Sequence, residues 1–393
     1  MVKMLKKIGN RFNELKFYFK NIDKILLLSI LIFAAFGLVV VFSASNITAV
    51  LFYHYESTYF FMKQLYFTLG GLGLMFFFAL ICRERKYFLF SIFGILALFI
   101  LFISLRTMGS INDSQSWYTF KGATFQPSEF AKTIIIIFLA GWYNNFKSYD
   151  KWWKVFIPCG LVAIICLFIA LEPDLGTAAV ITIITMLIFF GLPIKDNKIT
   201  IMKYAVILIG ILGIAFVYLR QDYYINKEAT SRQESRLAFT KPCSRSLNNG
   251  YQVCNAYIAI NNGGLFGRGF GQSTQKFLYL PEAYTDFVFP IVVEEIGVIG
   301  AIGVLVAYGF LLFKILSIAR HATNLQDSIV AFGTFAYILI HILVNLLGVL
   351  ALIPMTGIPL PFLSYGGSFL INLFVLLGMT LRVSANNRRY KKG

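Results

Sequence analysis

Residues 287–313 read FVFPIVVEEIGVIGAIGVLVAYGFLLF, 27 residues without lysine or arginine and with one pair of acids, Glu294 and Glu295. As a helix this stretch is about 40 Å long, more than the ~30 Å of hydrocarbon in a bilayer, so it crosses with some tilt. Nine further apolar runs lie at residues 25–42, 66–82, 87–105, 128–143, 155–171, 176–192, 203–219, 328–352 and 367–385. Roughly 17–25 residues make one crossing, so ten spans are expected, two of them slightly short. Backbone groups in hydrocarbon must bond within their own segment, which makes each run a helix; the runs do not alternate as barrel strands do. The expected fold is an all-α polytopic membrane protein, a single domain over residues 1–393.

Composition agrees. Apolar residues make up 58% of the 393 and charged ones 13%, with a mean hydropathy of +0.73. A soluble domain carries about 25% charged residues, so a soluble enzyme and a disordered chain are both excluded. The +17 formal charge would suit a nucleic acid, and the placement of the charges decides against it. Ten spans put both termini on one side, which holds 23 of the 35 Lys/Arg and six of the 18 Asp/Glu, leaving the other side neutral. The positive-inside bias makes the charged side cytoplasmic. The basic segment 1–24 also suits anionic membrane lipid, and the basic tail 386–393 repeats the bias. No small-residue cleavage pattern follows the first run, so it is read as a retained helix.

The outer side is where the chain departs from plain membrane protein. Residues 220–286 form a loop of about 67 residues between helices 7 and 8, too long for a mere connection. Residues 106–127 form another polar stretch. Residues 353–368 carry Pro354, Pro359 and Pro361, which suit a re-entrant loop with Ser364 and Tyr365 as substrate contacts. Cys82, Cys159 and Cys166 fall in or beside helices as buried thiols. Cys243 and Cys254 share the long loop, where oxidation is possible, and the sequence leaves their pairing open. Residues 263–271, GGLFGRGFG, look phosphate-binding, but a dinucleotide fingerprint needs a strand before it and a helix after. Here an amphipathic stretch, 251–260, suited to the membrane surface, precedes it. The segment is either a tight turn or a backbone approach to a bulky anion with Arg268 beside it. No nucleotide site is expected.

The acids carry more. Ionisable groups at membrane depth are costly and usually face a cavity or a partner. Glu129 and Lys132, three apart on one helix, share a face, as a self-neutralising pair or as the polar wall of a cleft. Glu172-Pro173-Asp174 offers hard oxygen ligands for a cation or, at Asp174, a helix cap. Asp286 stands where the long loop re-enters the bilayer, in LPEAYTDF at 280–287. That position suits a general base; the plainer reading is again a cap. His54 and His321 read as solvated, His341 as a packing residue, and most of the 41 Phe and 21 Tyr as lipid-facing or interfacial.

Four stretches in this order, residues 125–132 (FQPSEFAK), 172–178 (EPDLGTA), the turn 262–276 (NGGLFGRGFGQSTQK) running into 280–287, and 356–368 (TGIPLPFLSYGGS), resemble the SEDS family, the FtsW/RodA/SpoVE group of bacterial division, shape and sporulation proteins. Residues 43–45 (SAS), placed after the first helix, and 294–297 (EEIG) in the eighth are similar too. The likeness covers essentially the whole chain. It implies a peptidoglycan glycosyltransferase that polymerises lipid II at the outer face of the bacterial cytoplasmic membrane. A class B penicillin-binding protein would crosslink the growing glycan strand. The resemblance further implies Asp286 as the catalytic residue, with Glu129, Lys132 and Trp117 around one cavity. A divalent cation, Mg²⁺ or Mn²⁺, is implied without readable ligands. Three departures bear on local contacts: Ser116 where the family often has Arg, Cys243 where Trp often follows the proline, and His341 where Gln is usual. The turn 262–276 is more similar to division-type FtsW of Gram-positive bacteria, whereas 356–361 is equally similar to RodA, so division, elongation and sporulation stay open.

The chemistry is consistent with one acid. A lipid-linked sugar diphosphate carries its own leaving group, so the enzyme must activate the attacking hydroxyl and stabilise the departing pyrophosphate. Asp286 is expected to take the proton of the acceptor GlcNAc 4-hydroxyl while that oxygen attacks C1 of the donor MurNAc, inverting α to β. Lys132, Arg236 and Arg268 are the candidates for the diphosphate, beside the cation. Glu282 as a leaving-group acid is the weaker reading. The rivals are a lipid II flippase or other transporter, and a non-catalytic scaffold for the penicillin-binding protein. A carrier predicts matched repeats and helices broken near the midplane; neither is read from the sequence.

Overall fold

The computed structural model describes residues 13–82, 87–107, 116–120, 123–145, 152–172, 174–194, 197–220, 239, 241–244 and 249–390. Ten helices fall on the ten apolar runs: α1 (Lys24–Leu51), α2 (Tyr59–Leu80), α3 (Tyr87–Thr107), α4 (Pro127–Asn145), α5 (Trp152–Ala170), α6 (Leu175–Gly191), α7 (Asn197–Leu219), α9 (Val288–Arg320), α10 (Leu325–Val349) and α11 (Gly367–Tyr390). Helix α8 (Asn249–Gly263) takes up the amphipathic stretch of the long loop. Among the described residues, α1, α2, α3, α5, α9, α10 and α11 are long and apolar enough to cross a membrane, and α6 is apolar but only 17 residues long. Among the described residues, the one departure from an all-helical fold is a hairpin, β1 (Tyr118–Phe120) with β2 (Ala123–Phe125), antiparallel with Tyr118 opposite Phe125. Tyr, Thr and Phe on short strands explain it, in a stretch the sequence marks only as polar.

Helix α1 starts where Asp23 Oδ1 accepts from the N–H groups of Ile25 and Leu26 at 3.0 and 2.9 Å, an N-cap. It runs on to Leu51, so Ser43-Ala44-Ser45 lies inside the helix and not after it. The extension is possible because the Ser43 hydroxyl finds an acceptor on another helix, Glu295 of α9.

Helix α11 is the centre of the bundle: 89% of its apolar window is buried, against 28% for α3. It packs on α2, α4, α9 and α10. Its contact with α2 is made by glycines. A Cβ on Gly378 would stand 2.4 Å from the Met75 carbonyl oxygen, and one on Gly71 would stand 2.3 Å from the Phe374 ring. Small residues let helices approach where lipid supplies no hydrophobic drive to associate. Buried polar groups of α11 are matched to neighbours: Thr380 Oγ1 to Thr334 Oγ1 at 3.0 Å, Arg382 Nη1 to the Leu80 carbonyl at 2.9 Å, and Asn387 Nδ2 to the Ile318 carbonyl at 3.0 Å. Gly378→Ala is expected to lower stability by about 1–3 kcal/mol through overpacking. Gly73→Ala, with nothing within 4 Å of its Cβ position, is expected to leave the thermal midpoint in detergent unchanged or raised.

Helix α9 is broken at Gly297, whose φ of 73° lies in the left-handed region. The glycine-rich turn mends the break. Arg268 and Gly269 N–H groups donate to the Glu294 and Glu295 carbonyls at 2.9 Å each, and the Gly264 and Leu265 carbonyls accept from Val298 and Ile299 at 2.9 and 3.2 Å. Backbone groups freed by a helix break must find such partners at membrane depth. A Cβ at Gly267 would lie 2.3 Å from the Glu295 carbonyl oxygen, so glycine is required for the approach. The turn is thus a backbone dock for α9, and the sequence expectation of unbroken helices is corrected here. Cys243, in a 3₁₀ turn (Pro242–Ser244), is disulfide-bonded to Cys254 of α8, which settles the pairing.

Candidate active site

Asp286 ends the turn that joins the long loop to α9. The turn is tied by Leu280 N–H to Gln275 O at 2.9 Å and by Phe287 N–H to Glu282 O at 3.2 Å. Asn345 of α10 holds it from behind, its Nδ2 donating to the Asp286 carbonyl at 2.7 Å and the Ile358 carbonyl at 2.8 Å. One amide side chain thereby fixes the acid's backbone against the proline-rich loop. The N-cap of α9 is Phe287, without a side-chain capping bond, so the cap reading of Asp286 falls. Its carboxylate is half-buried and lines a cleft of about 1030 Å³.

Glu129, from the first turn of α4, lines the same cleft. Its Oε1 accepts from Lys132 Nζ at 2.7 Å, while Oε2, equally buried, has no hydrogen-bond partner. Lys132 is not on the lining. It runs inward between α4 and α10 and meets His341 Nε2 at 3.0 Å. His341 Nδ1 lies 2.7 Å from the Tyr337 carbonyl and therefore carries the proton, leaving Nε2 to accept from the lysine. The ammonium orients Glu129 and bonds His341, away from the cleft lining. The second Glu129 oxygen is buried without a hydrogen-bond partner, which costs about 1–3 kcal/mol.

Trp117 and Tyr365 also line the cleft. Ser364 does not: its hydroxyl accepts from the Leu360 N–H at 2.8 Å inside the proline loop, where it is buried. Arg268 does not either. Its Nη1 donates to Thr274 Oγ1 at 3.1 Å and stands 3.7 Å from Glu294 Oε1, at the glycine dock. Both side chains are engaged by nearer structural partners, away from the cleft lining. Arg236 lies outside the described residues. Asp174 is a cap for α6, accepting from Thr177 N–H at 3.1 Å, and binds α4 through Gln126 and Ser128 at 2.8 and 3.0 Å.

Sequence reasoning missed one wall. Tyr53, Tyr55, Tyr59 and Lys63, where α1 turns into α2, line the cleft with Glu282 and Thr285. Read singly, such tyrosines look like an interfacial belt; only their convergence with Asp286 marks them. Phe60 packs at a tilt against Tyr284 and edge-on to Tyr365, with centroids 4.7 and 5.2 Å away, joining this wall to the turn that carries Asp286. Burial, with Tyr59 and Tyr53 close by, pushes the Tyr365 hydroxyl up to about 12; Tyr284 is raised by burial, by its bond with Tyr53 and by the Glu282 charge. Both are neutral hydroxyls at physiological pH. A folded value above the unfolded one means stability is full below about pH 10 and is lost as pH climbs through about 12. Thermal midpoints are therefore expected to fall between about pH 10 and 12, and less so in Tyr365→Phe.

Comparison with known proteins places these features. The model of the FtsW/RodA/SpoVE family, described as "Cell cycle protein", matches residues 23–389. A Bacillus subtilis (strain 168) protein named "Probable peptidoglycan glycosyltransferase FtsW" is 36% identical over 94% of this chain and 92% of its own length. "Stage V sporulation protein E" of the same organism is 36% identical over 93% of this chain and 98% of its own. Two solved structures share the fold at 24% identity and 93% coverage of this chain: a peptidoglycan synthase complex (TM-score 0.71, 98% of that chain) and RodA of Thermus thermophilus (TM-score 0.65, 97% of that chain). With a family match over nearly its full length and two relatives above 30% identity, the chain belongs to the FtsW/RodA/SpoVE family of cell cycle proteins.

Proposed function

We propose that the chain is a peptidoglycan glycosyltransferase that polymerises lipid II into glycan strands at the outer face of the bacterial cytoplasmic membrane. The observation that carries this is the Asp286 carboxylate on the lining of a cleft of about 1030 Å³, on a turn whose main-chain carbonyl is held by Asn345. The names of the relatives support it. Ten spans with both termini in the cytoplasm are supported by ten helices on ten apolar runs and by the basic bias of the terminal side. That topology puts the long loop and the cleft outside, where a polyprenyl-linked substrate can present its sugars without leaving the bilayer.

Asp286 accepts the proton of the acceptor's GlcNAc 4-hydroxyl as its oxygen forms the bond to C1 of the donor MurNAc. The C1–oxygen bond to the diphosphate breaks, and the lipid diphosphate leaves with the electron pair. Attack from the face opposite the leaving group inverts α to β. Thr285 shares its hydroxyl between Glu282 Oε2 at 2.7 Å and Asp286 Oδ1 at 3.2 Å, and one proton serves only the nearer acceptor.

Among the described residues no three His, Cys, Asp or Glu side chains gather as a metal cage. Mg²⁺ is commonly held by one or two carboxylates plus substrate phosphates, and Glu282 and Asp286 on the lining fit that smaller set. Bound there, a divalent cation would offset the diphosphate charge. One structural neighbour coordinates polymerisation with crosslinking, which supports a class B penicillin-binding protein as partner.

The test is purified protein in liposomes with labelled lipid II, with and without that partner, in EDTA or Mn²⁺. Polymer formation, greatest with partner and Mn²⁺, is expected. Translocation without polymer would establish a carrier instead, and polymer only from the partner would establish a scaffold.

A further inference from the structure

The cleft presents a charge problem. Glu129, Asp174, Glu282 and Asp286 line it, and among its described lining residues Lys63 is the only lysine or arginine. Glu129 is paired with Lys132, and a sugar diphosphate brought beside the other carboxylates meets repulsion unless its own charge sits against a cation. Lys63 is four residues into α2, so its Cα lies about 6 Å along the axis from the helix start at Tyr59. A lysine one turn inside a spanning helix carries its ammonium towards the headgroup level, the depth at which a polyprenyl chain anchors its diphosphate. The N-terminal end of the α2 dipole adds positive potential at the same place.

Above Lys63 stands an aromatic ladder. Its Nζ lies 4.4 Å from the Tyr59 ring centroid; Tyr59 meets Tyr55 at 4.3 Å; Tyr55 and Tyr53 are parallel within 4°, with centroids 5.9 Å apart. Tyr53 and Tyr55 are 40% and 46% exposed and line the cleft. The C–H bonds on a pyranose face carry partial positive charge and settle on the negative face of an aromatic ring. Tyr53 is also bonded to Tyr284, and the Tyr365 N–H donates to the Tyr284 carbonyl at 2.9 Å, so the ladder is fastened to the segment that carries Asp286.

We propose that the corner between α1 and α2 seats the lipid-linked substrate, with Lys63 holding the diphosphate and the Tyr53–Tyr55 face holding a sugar ring. This rests on the polymerase reading and specifies where its substrate binds. It predicts two separable recognition elements, one for charge and one for carbohydrate.

Binding is measured on the full-length Asp286→Asn chain in nanodiscs, so that nothing turns over, with fluorescent lipid II and with polyprenyl diphosphate lacking sugars. Lys63→Met is expected to weaken both probes about tenfold or more, and Lys63→Arg to restore them. Tyr53→Ala/Tyr55→Ala is expected to weaken lipid II by a similar factor and polyprenyl diphosphate little. Thermal midpoints confirm that each variant is folded, and the arginine rescue separates lost charge from lost packing. Wild-type affinity in Lys63→Met, or equal loss of both probes in the tyrosine double variant, overturns the proposal. Failure of the wild type to make polymer would overturn the enzymatic reading and leaves these binding results to stand or fall on their own.

Discussion

Lys276→Met is expected to destabilise the protein by about 3–5 kcal/mol, because it strands a buried charge. Lys276 is 1% exposed and its Nζ lies 3.3 Å from Glu295 Oε1, itself buried. The same ammonium donates to the Gly271 carbonyl at 2.8 Å and the Ser43 carbonyl at 3.2 Å. Three elements therefore meet on one side chain: α1 through Ser43, α9 through Glu295, and the glycine turn through Gly271. Glu294, one residue earlier, gathers Ser273, Thr274 and Gln275 from the same turn. Removing Lys276 leaves Glu295 with a serine hydroxyl but no cation, while methionine fills the volume. The loss should appear as a lowered thermal midpoint in detergent. Lys276→Met with Glu295→Gln should recover a substantial part, since the double change removes the stranded charge as well. A change below about 1 kcal/mol in the single variant would mean that the pair is solvated and not the clasp described here.

The bundle was legible because its cause is local: each helix follows from an apolar run that cannot leave its backbone unpaired in lipid. What was not legible depended on distant partners. Ser43 reads as the end of α1, yet it continues the helix because Glu295, 252 residues away, accepts its hydroxyl proton. Gly297 sits in an unremarkable apolar stretch, and only the turn at 263–269 shows that α9 is broken and mended there. Within the site, Asp286, Glu129, Trp117 and Tyr365 do share a cleft. Lys132, Ser364 and Arg268 lie off its lining for a common reason: sequence shows that a side chain is polar, but not which neighbour has already claimed it. His341, read as a packing residue, is buried and hydrogen-bonded to Lys132 and Tyr337, partners that the sequence does not name. The tyrosines at 53, 55 and 59 were hidden among many others with ordinary interfacial roles.

Asp286→Asn is the second large effect, on rate and not on stability. The substitution keeps size and the Asn345 bond, which goes to the main-chain carbonyl, so the thermal midpoint should stay at the wild-type value. What is lost is the capacity to take a proton, and a positioned base typically contributes ~10²–10⁴-fold. Asp286→Ala should be no more active, since neither side chain can act as base. Glu282→Gln is expected to cost less rate than Asp286→Asn and to weaken the response to Mn²⁺, since it removes one carboxylate that would hold the cation and leaves the base. The most direct measurement is therefore the initial rate of glycan formation from labelled lipid II by the purified wild-type chain and the Asp286→Asn chain, each with its crosslinking partner. A drop of about 10²-fold or more in a folded variant is the predicted result. Polymer made by Asp286→Asn at the wild-type rate would contradict it.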